Sequence, residues 1–191
     1  MKSINLFGFL VIVLFVSGCS TLQVNSDYDP DVSFSGYHFY NWIPDAPATT
    51  GDPRIDSNTL LHDRVHKAID GQLAAKGYVK SKTDKPDFWV TYYVTLDKQT
   101  EIQTINNYYN YGPGWGWRDR DYYYYPFYGS ETYIYTYDQG TLIVDIVNPS
   151  NRKLVWRGTA IDKVNFSNTP EQKQQKITEV VRKLFMQFPP Q

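Results

Sequence analysis

Hydrophobic positions along this chain change their spacing several times, and each change marks an element. Leu61, Val65, Ile69 and Leu73 recur every fourth residue with Ala68 beside them, which predicts an amphipathic helix. Asp56 or Ser57 is placed to cap its start, and Gly77 to end it in the left-handed conformation. In PDFWVTYYVTL the spacing falls to two. Phe88, Val90, Tyr92, Val94 and Leu96 share one face, while Trp89, Thr91, Tyr93 and Thr95 share the other, predicting a half-buried strand with rings on both sides. FSGYHFYNW, residues 34–42, reads as a strand ended by a Pro/Gly/Thr loop. YIYTYDQGTLIVDIVN reads as a longer strand with a bulge or kink at Asp138-Gln139-Gly140. A turn at Asn148-Pro149-Ser150-Asn151 joins it to KLVWRGTAIDKV and makes a hairpin.

The last element carries its own start signal. Thr169-Pro170-Glu171-Gln172 supplies an N-cap, Pro at the first helical position and Gln at the third, a capping box. Ile177, Val180, Val181, Leu184 and Phe188 form the apolar stripe, and Pro189-Pro190 stops the helix. With a short strand at Tyr78-Val79, the order is strand, helix, strand, strand, strand, helix. The expected fold is α+β, a two-layer sandwich of a mostly antiparallel sheet covered by two amphipathic helices. A β-sandwich with decorating helices fits less well, because two capped helices with apolar stripes need a surface to cover.

Ahead of this body lies a different pattern. Lys2 precedes a run from Ile4 to Val16 that is apolar apart from Asn5, and then small residues, the layout of a secretory signal. The run is shorter than the about 20 apolar residues that span a membrane. Val16-Ser17-Gly18-Cys19 is similar to a bacterial lipobox, and the chain's single Cys stands where the lipobox needs it. That resemblance implies lipidation at Cys19, which becomes the first mature residue. Each methylene buried contributes about 0.8 kcal/mol and one chain binds only marginally, so three acyl chains make a lasting tether. Ser20, rather than Asp, after Cys19 implies sorting to the outer membrane, facing the periplasm. The expected organisation is a signal peptide over 1–18, a polar tether over 19–31 and the α+β domain over 32–191. With Cys19 acylated no disulfide can form, and the core alone supplies stability.

Several segments together resemble the bacterial lipoproteins grouped as domain of unknown function 4136. The matching features are Asp27-Tyr28-Asp29, Phe34, Tyr37 and Trp42, then Gly140-Thr141-Leu142 with Asp145, then Trp156-Arg157-Gly158. The hairpin segment is the most specific of them. The resemblance implies an envelope lipoprotein of α+β fold and carries no activity, cofactor or site residues.

Candidate chemistry is sparse. A formal net charge of −1 gives no electrostatic footprint for nucleic acid. His62, His66 and Asp70 fall on one stripe of the first helix, a spacing that metal sites use; with Asp63 and Lys67 beside them, a solvated face and no metal are expected. No Gly-x-Ser-x-Gly elbow is present, and Gly112, Gly114 and Gly116 lack the strand-to-helix setting of a phosphate loop. No enzyme and no cofactor are therefore expected; the alternative is an envelope hydrolase using His62 or His66, with His38 as a further base. Asp145 and Arg157 on neighbouring strands are expected to pair across the hairpin.

The aromatic-rich insertion at about 106–130 remains. It could prolong its flanking strands into an arm, form a mobile loop, or be a binding surface, since Tyr and Trp are enriched at interaction hot spots. The residues for such a surface are Tyr111, Trp115, Trp117, Arg118, Arg120, Tyr123 and Tyr125, with the arginines stacking on neighbouring rings. Envelope proteins or glycan are the partners such a surface fits, and the reading is a binding or structural module.

Overall fold

A computed structural model describes residues 22–44, 50, 52–83, 85–107 and 129–190. Six strands form one mixed sheet: β1 (Gln23–Tyr28), β2 (Phe39–Trp42), β3 (Val79–Lys80), β4 (Phe88–Asn107), β5 (Gly129–Val147) and β6 (Leu154–Val164). Their spatial order is β1-β6-β5-β4-β2-β3. The pairs β1/β6, β6/β5 and β5/β4 are antiparallel, whereas β2 runs parallel to both β4 and β3. The helices are α1 (Pro53–Asp56), α2 (Thr59–Ala75) and α3 (Pro170–Phe185). The fold is α+β, as the apolar spacing implies.

Local chemistry sets the helix limits. Asn58, not Asp56 or Ser57, caps α2 by accepting from the Leu61 N–H. Asp52 caps the additional turn α1, so the acidic stretch starts a separate element one turn earlier. At the other end Gly77 adopts φ 88°. The Gly77 N–H bonds the Ala74 carbonyl and the Tyr78 N–H bonds that of Leu73, a Schellman closure. α3 begins with the expected capping box between Thr169 and Gln172. It ends at Phe185, before Phe188, which folds back to plug the core. Phe188 is fully buried among Phe34, Tyr78, Phe88, Trp156 and Phe185, at ring centroid distances of 5.0–6.0 Å.

Three strand expectations shift. The polar segment read as tether carries β1, which pairs with β6 from Gln23↔Ile161 to Tyr28↔Trp156. An edge strand needs one partner and little apolar content, so its sequence resembles a linker. The first aromatic strand is shorter than 34–42 and begins at Phe39; Phe34 and Tyr37 serve as core rings in the turn before it. The register runs unbroken through Asp138-Gln139-Gly140, and the irregularity lies between Ile146 and Val147, opposite Leu154 and Trp156. That bulge places Val155 and Trp156, consecutive residues, both in buried positions.

Candidate functional site

The histidine stripe of α2 is built into the sheet contact. Asp70 accepts from the Tyr40 hydroxyl at 2.8 Å and from the Trp42 indole N–H at 3.0 Å, and pairs with Lys80 at 3.6 Å. The His66 ring lies 3.9 Å from that of Trp42 and edge-on to Tyr92. Burial holds the His66 imidazolium less stable than in water and lowers its pKa, against the opposing pull of Asp70. At His62, Nε2 lies 3.1 Å from the Ile55 carbonyl and Nδ1 lies 2.8 Å from the Tyr92 hydroxyl. Since a carbonyl only accepts, Nε2 carries the proton. Burial, with the Asp63 charge adding to it, pushes the Tyr92 phenol up to about 12. The stripe is thus half-buried, not the solvated face its charged neighbours suggested. β2 and β4 bring Tyr40, Trp42 and Tyr92 against it.

The Nδ1 lone pair of His62 accepts from the Tyr92 hydroxyl and Nε2 donates to the Ile55 carbonyl, so both ring nitrogens are committed to packing contacts between α2, α1 and β4. His38 is exposed; its backbone N–H, like that of Phe39, bonds the Asp87 carboxylate, at 2.9 and 2.7 Å. Neither the cleft beside Asp87 nor the larger cleft between the helices is lined by a histidine. Among the described residues, no group of three or more His, Cys, Asp or Glu stands where it could hold a metal ion.

Asp145 and Arg157 are register partners on the sheet face away from the helices. The guanidinium donates from Nε and Nη2 to the two carboxylate oxygens, each at 2.7 Å. The Asp145 side chain is 6% exposed and that of Arg157 44%. The pair is a two-pronged clasp across the hairpin, and the Asp145 hydrogen bonds raise the Arg157 pKa.

The most unusual feature is the length of β4 and β5. β6 stops at Val164, opposite Asp138, yet β4 and β5 continue paired from Gln99↔Tyr137 to Asn107↔Gly129. At about 3.4 Å per residue this is a two-stranded arm roughly 30 Å long. One face sets Tyr133, Tyr135 and Tyr137 opposite Gln103, Glu101 and Gln99; the other sets Thr132, Ile134 and Thr136 opposite Thr104, Ile102 and Thr100. Ile102 and Ile134 are 66% and 68% exposed, and the Tyr133 and Tyr135 rings stack at 6.2 Å. Lys163 braces the base, 4.0 Å over the Tyr137 ring and 3.2 Å from Glu101. The period-two run of Thr and Ile at 100, 102 and 104 carries the arm's signal in the sequence, though the aromatic density beside it draws the eye first. The arm reading of the insertion therefore holds for its flanks. Tyr111, Trp115, Trp117, Arg118, Arg120, Tyr123, Tyr125 and Cys19 lie outside the described residues.

Comparison with known proteins adds the family. A model described as "Domain of unknown function (DUF4136)" matches residues 24–190. The chain belongs to the DUF4136 family. The match begins inside β1, so the edge strand is part of the DUF4136 unit and not a linker to it. No curated protein matches the chain. Among solved structures, a PDZ domain protein from Parabacteroides distasonis is similar to this DUF4136 chain over 90% of its length, at 15% identity and a TM-score of 0.51. The chain spans 37% of that protein, and the likeness concerns the fold alone. Two structures of the PelC dodecamer from Paraburkholderia phytofirmans align over 86% of this chain and 94% and 95% of theirs, at 10% and 11% identity and TM-scores of 0.41 and 0.43.

Proposed function

We propose that this DUF4136 protein is a lipoprotein of the bacterial envelope, held to the outer membrane through Cys19, whose α+β body acts as a binding or structural module. Its partner surface is the β4–β5 arm together with the aromatic segment at its end. The observation that carries this reading is the arm: two strands that leave the sheet, with Tyr133, Tyr135, Ile102 and Ile134 exposed along both faces. A two-stranded ribbon is marginal by itself in water, and exposed apolar or ring-rich surface of this kind commonly marks an interaction site. The hydrolase alternative draws no support from the histidines, because His62 is engaged at both nitrogens and His66 is packed on Trp42.

The register of the arm supplies a clean variant. Deleting 108–128 joins Asn107 to Gly129, the residue pair that best forms a two-residue hairpin turn, beside the existing pair Asn106↔Ser130. In intact envelopes, a photo-crosslinker at Tyr135 should capture a partner in the full chain and lose it after this deletion. If no adduct forms at Tyr135 in the full chain, the interaction reading is wrong; if the shortened protein folds and every adduct persists, the partner surface is the arm without residues 108–128. For the anchor, Cys19→Ser should release the protein from membranes. Continued membrane association without incorporated fatty acid refutes lipidation.

A further inference from the structure

The first apolar positions of both helix stripes are left half-exposed. Leu61 on α2 and Ile177 and Val180 on α3 are partly buried, while Leu73, Leu184 and Phe185 further along are sealed. The helices run the same way. Their C-terminal ends meet where the Tyr78 and Phe188 rings touch at 5.7 Å. Toward their N-termini they part, and a cleft of about 640 Å³ opens between them. Its floor is the helix-side face of the sheet, where Val94, Leu142 and Ala160 stand in one row and Leu96, Gly140 and Asp162 in the next. Over Gly140 the Val164 side chain closes the floor, and a Cβ there would meet it at 2.8 Å. Two of the chain's exposed large apolar residues, Leu60 at 63% and Phe166 at 51%, also line this cleft.

The charged side chains that line the walls are mostly cations. Arg54, Arg64, Lys163, Lys173 and Lys176 line the cleft with a single acid, Asp162. Lys176 neutralises Asp162 at 2.5 Å; Arg54 is held by Asp52 and Asp138, and Lys163 by Glu101. Arg64 and Lys173 make no ion pair within 4 Å among the described residues, although Glu171 acts on Arg64 from further off. An apolar floor of this size suits a small molecule rather than a folded segment, and two cations outside any close ion pair beside it suit an anionic head.

We propose that this cleft binds a single-chain anionic amphiphile, with its tail along the Val94–Leu142–Ala160 floor and its carboxylate or phosphate between Arg64 and Lys173. The course of β1 agrees with a lipid source. Gln23 pairs with Ile161, one residue before Asp162, so the chain enters the sheet at the cleft end, and Cys19 lies three residues upstream of Leu22. An anchor at Cys19 keeps the cleft beside a bilayer. This last point rests on the lipoprotein reading; binding itself does not.

The test uses the chain from residue 20 onward, which keeps every element from β1 to α3, purified without detergent. Dodecanoate and dodecyl phosphate, below their micellar concentrations, are titrated by calorimetry against dodecyl maltoside and acetate. Saturable binding of one equivalent of either anion is expected, the tighter of the two naming the head group, with acetate silent and the neutral glycoside weaker by about tenfold or more. Arg64→Glu with Lys173→Glu should weaken the anions by about tenfold or more and leave the glycoside unchanged. Leu60→Ser with Phe166→Ser, at exposed positions that the fold does not need, should weaken all tailed probes several-fold, about as expected for lost apolar contact. Absence of saturable binding to a protein with an unchanged far-UV spectrum overturns the proposal. So does equal affinity for anion and glycoside that charge reversal leaves unmoved. Because no anchor is present, failure here leaves the Cys19 reading standing, and failure of Cys19→Ser to release the protein leaves this one standing.

Discussion

The side chains with the largest individual consequences are charged or titratable groups placed against the sheet. Asp145 sits nearly dry while its partner Arg157 stays half in water. Removing the guanidinium leaves a buried carboxylate with its best donors gone. Arg157→Ala should therefore cost about 1–3 kcal/mol in urea unfolding, below the range for a fully buried pair because Arg157 is partly solvated. Asp145→Val with Arg157→Val should cost less than the single change; a double variant less stable than Arg157→Ala would contradict a desolvation origin. His66 gives a pH signature. Its folded pKa is depressed by burial from the ordinary 6.5, so the neutral ring is favoured in the native state. Above about pH 6.5 neither state takes a proton and the full stability is present; as pH falls toward the folded value the unfolded chain protonates first, and stability declines. His66→Gln should flatten this limb of the urea midpoint between pH 7 and 5.5. An unchanged slope would assign it elsewhere. None of this burial is visible in HDRVHKAID alone, where Asp63 and Lys67 flank the stripe and only the aromatic strands opposite decide that it is covered.

At the level of elements, close approach of α3 to β6 decides much. The Leu184 side chain lies over Gly158, where a Cβ would come within 2.4 Å of the Trp156 ring and 2.6 Å of Leu184. Gly158→Ala should cost about 1–3 kcal/mol through overpacking, with unfolding followed in urea by Trp fluorescence; a neutral effect would show that the helix can slide outward. The elements legible in the sequence are those whose signal is local. The α3 capping box, the Gly77 stop and the alternation of Phe88 to Leu96 each specify geometry within a few residues. What was not legible depends on distant partners. β1 is a strand because β6 offers an edge, the bulge sits at Val155 because Val155 and Trp156 both turn inward, and Phe188 leaves the helix because five rings surround it. The cleft was hidden for the same reason. Ile177 and Val180 read as core positions, and only the divergence of two helices leaves them facing open space.

As a whole the molecule divides into a sealed body and a long appendage. Among the described residues the fully buried rings belong to the body, from Phe88 to Phe188, while the arm from Gln99 outward has its backbone paired within itself and is braced at its base by Lys163. Deletion of 108–128 should therefore leave the urea midpoint equal or higher. Closing a shorter loop costs less entropy, by about 0.6 kcal/mol for each halving of length; a lowered midpoint would mean that the segment packs on the body.

β1 also sets how the protein carries mechanical load. A tug on the amino-terminal end runs along the strand axis and away from Phe188, so the six pairs from Gln23↔Ile161 to Tyr28↔Trp156 are sheared together instead of peeling one after another. Held in single-molecule tweezers by its two ends, the protein should rupture abruptly at a force far above that needed when the same ladder is drawn apart sideways from Lys153 and Asp29. An edge strand that resembles a linker is then the rivet through which any pull on the amino-terminal side reaches the body.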